Sequence, residues 1–178
     1  MLIELTLHRK VASTKKRFFI SPLRRNRQFE NGTLKIFNMN NPYFTKVKAY
    51  LQDLNFHISH ESALDGVFVV EKPELGIQNL VIGCADPLLI MEQHLLDLPE
   101  LTIEVLQSLL KKNRDIIHGA FVLDETGRKL IFRDTLQVEN LDLREIEASF
   151  NSLALLLSEY SEQLIQFSKI NENSYEHI

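Results

Sequence analysis

Ile146, Phe150, Leu153, Leu157, Tyr160, Leu164 and Phe167 recur at spacings of 4-3-4-3-4-3, and no other feature of this chain restricts its fold so tightly. That period places all seven side chains on one face of a helix and on no single face of a strand. Asp142, with Glu145 three positions later, forms a capping-box pattern at its start. The spacing therefore predicts a helix from Leu143 to about Ser168. At ~1.5 Å per residue it would be roughly 39 Å long, enough to lie across a sheet of several strands. Leu155, Leu156 and Ile165 widen its apolar surface beyond one stripe, so part of the helix is expected to meet a second subunit or another partner.

A helix of this kind needs a sheet, and the preceding residues supply one. Phe44, Val47, Leu51 and Leu54 predict a first helix from Tyr43, with Asn41 as N-cap and Pro42 as its first residue. "FHISHE", "GVFVVEK", "IQNLVIGC" and "PLLIMEQHLLDL" then follow. Their β-branched content and short lengths argue for strands, Leu88 to Leu98 being the one stretch that also suits a helix. Pro99 is expected to open a second helix carrying Val105, Leu106, Leu109 and Leu110 on one side. Lys111 and Lys112 complement its C-terminal dipole, and Asn113 can close it in a left-handed conformation. The run "AFVLDETGRKLIFRDTLQVE" is a hairpin with Gly127 suited to positive φ at its turn.

Alternation in the second strand of that hairpin puts Leu130, Phe132, Leu136 and Val138 on one face and Arg133 on the other, so Asp134 falls on the apolar side. A buried carboxylate requires donors, either backbone amides at a bulge or Arg133 redirected by one. A general base with a raised pKa is the functional alternative. With no nucleophile or metal partner in the sequence, Asp134 is read as a structural buried acid.

The remaining candidate sites lack diagnostic spacing. His57 and His60 stand three apart, which on a strand points them to opposite faces, and Cys84, Asp86 and His94 complete no metal motif with them. Ser108, His118 and Asp124 come with no nucleophile elbow. The glycines form neither a dinucleotide nor a phosphate loop. No catalytic residue, cofactor site or metal site is assigned. Cys84 is the single cysteine, so an intrachain disulfide is impossible and a reducing compartment fits.

Charge divides the chain at residue 38. Residues 1–38 carry nine Lys and Arg against Glu4 and Glu30, net +7, whereas residues 39–178 carry eleven against twenty-two acids, net −11. An acidic body repels phosphate backbones, so nucleic acid is not an expected partner. No apolar run reaches the ~18 residues of a membrane span, and a cytoplasmic location is expected. The basic segment has three readings: an arm for an anionic partner, a transit-like peptide, or sequence translated from a mis-assigned start. Met39, just before the helix signal at Asn41, favours the third, with 39–178 as a single domain. If the segment is genuine, "KKRFFISPLRR" suits weak contact with anionic membranes.

The element order is α+β: helix, three antiparallel strands, helix, β-hairpin and a long C-terminal helix packed on the sheet. With the phrases "VFVVEKPELGIQNLVIGCADPLLIM", "LLKKNRDIIHGAFVLDETGRKLIFRDTL" and "ENLDLREIEASFNSLALLLSEY", this order resembles the class I type III secretion chaperones. That is the Tir chaperone (CesT-like) fold shared with YbjN-type proteins. The resemblance spans about residues 41–168. It implies a small, acidic, cytoplasmic homodimer without enzymatic activity that holds a partly unfolded client segment on apolar patches. The alternative is a regulatory or scaffold protein of the same fold that docks one folded partner, in a setting such as envelope stress. The resemblance fixes no client-binding residue, so Leu155, Leu156 and Ile165 stand as the dimer or client surface on their helical spacing alone.

Overall fold

A computed structural model describes residues 42–168. Asn41 and the basic segment lie outside them. The element order is α1 (Pro42–Asp53), β1 (His57–Ser62), β2 (Val67–Lys72), a 3₁₀ turn (Pro73–Leu75), β3 (Ile77–Ala85), β4 (Leu88–Asp97), α2 (Ile103–Asn113), β5 (Ala120–Leu123), β6 (Lys129–Gln137) and α3 (Leu143–Ser168). The strands form one antiparallel sheet in the order β1-β2-β3-β4-β6-β5. The fold is α+β, with the long last helix on the sheet.

Four strands, not three, separate α1 from α2. All four stretches read as strands there each form one, so the count of three in the element order is one short; the first, "HISHES", has Ile58 as its only large apolar side chain. It persists because it is an edge strand, held by β2 from His57↔Glu71 to Ser62↔Val67 with a bulge between Ile58 and His60. Polar side chains and a bulge are common at exposed sheet edges because they discourage pairing with other chains. Leu88 to Asp97 is a strand, with burial alternating along its first six residues.

One face of the sheet carries the core. Phe68, Ile82 and Met91 lie side by side across β2, β3 and β4, and Asp134 of β6 continues the row. All three helices pack on this face, α1 through Phe44, Val47 and Leu51, α2 through Val105 and Leu109, and α3 through Ile146, Phe150, Leu153, Leu156 and Leu164. Phe44 stacks on Phe68 with ring centroids 4.1 Å apart, and Phe56 leans on Phe150 at 4.3 Å. Each such side chain contributes about 1.5–3 kcal/mol by leaving water. On the opposite face Val67, Val81 and Ile90 are partly exposed and stand outside that cluster, while Val69 between them is buried.

Two helix ends differ from the sequence reading. The second helix begins at Ile103 rather than Pro99, because Thr102 is its N-cap: the Thr102 hydroxyl accepts the Val105 amide at 3.3 Å. Leu98 is instead tied back to the hairpin, its amide donating to the Arg128 carbonyl at 2.7 Å. At the other end Arg114 stays right-handed, and Asn113 does not enter the left-handed region. The Asn113 side chain bridges to β5, accepting the Phe121 amide at 2.7 Å and donating to the Phe121 carbonyl at 3.1 Å. That clamp outcompetes a helix-ending role because it satisfies both polar groups of one strand residue.

Candidate functional site

The pair Arg133–Asp134 is split across the sheet. Arg133 is exposed on the open face, where its guanidinium donates to Glu92, its cross-strand neighbour on β4. Asp134 is buried on the covered face, accepting the Thr135 amide at 2.7 Å through one oxygen and the Ser149 hydroxyl of α3 through the other. Neither Arg133 nor a bulge supplies its donors; the irregularity in the β4–β6 ladder lies between His94 and Leu96. Ser149 sits on the core face of α3 one residue before Phe150, so the helix brings a hydroxyl to the carboxylate. Each donor satisfies one oxygen, and among the described residues no base or cation is paired with the set.

The other spaced candidates are not assembled. His57 and His60 lie exposed on β1, Cys84 is buried on β3, and His94 pairs with Asp97 at 3.0 Å. Among the described residues no three His, Cys, Asp or Glu side chains are grouped to hold a metal. Burial pushes the Cys84 thiol up to about 12. Ser108 accepts from Gln163 at 3.1 Å, and Asp124 serves its own turn, accepting from Thr126, Arg128 and Lys129.

Of the three apolar residues read as a surface on α3, Leu155 and Ile165 are exposed and Leu156 is not. Leu156 is only 2% exposed. Three residues after Leu153 it turns back toward the core face, so it belongs to the protein's own interior. Its edge is the floor of a groove.

That groove, with a volume of about 420 Å³, lies between α3 and the α2–β5 loop. Ala148, Ser152, Leu155 and Glu159 form the helical wall, at helical spacings of four and three, while Asp115 to His118 form the other. The loop is held in place at two points. Ser152 donates its hydroxyl to the His118 carbonyl at 3.0 Å and accepts the His118 amide at 3.4 Å. Gly119, at φ +80°, then passes so close to Phe132 that a Cβ there would stand 2.4 Å from the ring. Only glycine combines that backbone conformation with that approach. The loop so fixed presents Ile117 at 88% exposure opposite Leu155 at 57%. At one end Tyr160 packs edge-on against Phe121 and carries Lys112 over its ring at 4.3 Å.

Sequence reasoning found Leu155 but missed Ile116, Ile117 and the loop as a wall. "DIIHG" did hold a signal: two consecutive large apolar residues outside any periodic element, ahead of a glycine.

An antiparallel sheet with helices on one face and a long terminal helix defines a type III secretion chaperone-like fold. Residues 39–170 match the CesT_Tir_1 family model, and the chain belongs to that family. Among solved structures, E. coli YbjN is similar at 14% identity and a TM-score of 0.54, covering 67% of this chain and 92% of that one. A chain of the HopA1–SchA chaperone–effector complex is similar at 12% identity and a TM-score of 0.51, covering 74% of this chain and 98% of that one. No curated protein matches the sequence. Among the described residues no helix is long and apolar enough to cross a membrane.

Proposed function

We propose that this protein is a non-enzymatic, chaperone-like binding module of the cytoplasm, which holds an extended or partly unfolded client segment on apolar patches of a homodimer. The observation that carries this reading is the groove beside α3, where Ile117 and Leu155 stand exposed on walls fixed by Ser152 and Gly119. Large apolar side chains held in place and left to solvent mark binding surfaces, since the protein loses solubility by keeping them there. Family membership and the occurrence of the same fold in a chaperone–effector complex agree with it. The acidic body keeps such a molecule soluble while its apolar surface is unoccupied. A two-fold dimer would align two copies of each patch, so a client engaging both gains effective concentration as well as contact area.

A scaffold that docks one folded partner is the second reading, and the sheet face opposite the core favours it. Val67, Val81 and Ile90, all partly exposed, lie across three strands there, flanked by the Glu92–Arg133 pair, in a mixed arrangement that a folded surface can cover. The two readings separate on partner state. Light scattering should give twice the chain mass at micromolar concentration, and calorimetric titration should show binding to several unrelated unfolded segments. A strict monomer, or binding confined to one folded protein, would contradict the chaperone reading.

A further inference from the structure

We propose that the groove between α3 and the 115–118 loop is the seat of a client segment of one particular chemistry: large aliphatic or aromatic anchors bordered by Lys or Arg. This rests on the chaperone reading above and adds to it a place and a preference. The floor and facing walls are apolar, formed by Ile116, Ile117, Leu155 and Leu156. Among the polar groups there, the Ser152 hydroxyl is committed to both polar groups of the His118 backbone. A volume of about 420 Å³ accommodates a few large side chains.

Charge selects among occupants of that size. The charged side chains lining the groove are Asp115 and Glu159, both exposed, and Lys112 lies over the Tyr160 ring at one end. Cations flanking an apolar anchor therefore meet carboxylates on both walls. A second copy is disfavoured as occupant, because a two-fold that closed the groove on itself would gather four carboxylates at one seam. Dimerisation is thus assigned to another surface.

The test uses the full chain and two labelled synthetic peptides, each with Leu and Phe anchors, one flanked by Lys and the other by Glu. The Lys-flanked peptide should bind about three- to tenfold more tightly, in keeping with a few tenths to about one kcal/mol per exposed charge pair. Ile117→Ser with Leu155→Ser should weaken it at least about tenfold, as loss of interface anchors does. Both residues are exposed, so the fold should survive, and Leu64→Ser, at a 91% exposed site in the β1–β2 turn, should change nothing. Equal affinity for the two peptides would overturn the charge preference. Unfolded segments that bind the Ile117/Leu155 variant as tightly as the unmodified chain would overturn the groove and leave the chaperone reading intact. Absence of binding by any unfolded segment to the unmodified protein would overturn both. Light scattering that showed a dimer for the unmodified chain and a monomer for the variant would make the groove a subunit interface instead, and the inference would fall.

Discussion

Asp134 shows how a single carboxylate becomes part of a wall. Its burial costs free energy unless donors replace water, and the Thr135 amide and the Ser149 hydroxyl do so from two different elements. Asp134→Ala should destabilise the fold by about 1–3 kcal/mol, since it strands a buried hydroxyl and an amide. Chemical denaturation measures this, and an unchanged midpoint would count against a structural role. Cys84 gives a second residue-scale prediction. Burial holds its thiol near 12, so almost none is thiolate at neutral pH, and the thiolate is the reactive form. A maleimide at about pH 7 should label Cys84 only after unfolding; labelling of the native protein at the rate of a free thiol would contradict its placement. Alternation alone placed Asp134 inward, whereas its Ser149 donor was not legible, because Ser149 lies fifteen residues away on a helix whose docking the sequence does not specify.

At the scale of elements, what was legible depended on how long a periodic pattern ran. The last helix extends over 26 residues with bounds at Leu143 and Ser168, and Asp142 accepts the Glu145 amide at 2.8 Å at its start. Shorter signals gave way to tertiary contacts: Thr102 displaced Pro99 as the start of α2, and Asn113 was drawn to Phe121. Strand β1 shows little apolar alternation and is held by its ladder to β2. The hairpin turn makes a prediction with a sign. Some desolvation opposes ionisation of Asp124, but donors from Lys129, Thr126 and Arg128 outweigh it and hold the carboxyl below its ordinary value of 3.8. A depressed folded-state pKa contributes stability that is present above the unfolded value and lost as pH falls through the folded one. Asp124→Ala should therefore lower the melting temperature at neutral pH, with the difference narrowing below about pH 4. A gap that widened in acid would contradict this account of the turn. The groove was the least legible feature, for it joins a helix face to a loop that Gly119 and Ser152 help to hold against it.

For the whole molecule, we propose 39–178 as the folding unit, on the charge break at residue 38. On that proposal, removal of residues 1–38 should leave the melting temperature nearly unchanged, because a segment that is not packed contributes little stability. A loss of several degrees in a thermal melt would refute that. The central claim is that the molecule captures unfolded segments by burying apolar surface. Burial of this kind is not screened by salt, whereas exposed charge pairs are, with a screening length falling from about 10 Å at 0.1 M to about 3 Å at 1 M. The most direct measurement is a fluorescence anisotropy titration of an unfolded client segment at about 0.1 M and about 1 M salt. The account predicts binding at both, weakened by about tenfold or less at high salt as the flanking carboxylates are screened. Binding that vanishes in about 1 M salt would show charge rather than apolar burial to be the holding force, and would contradict it.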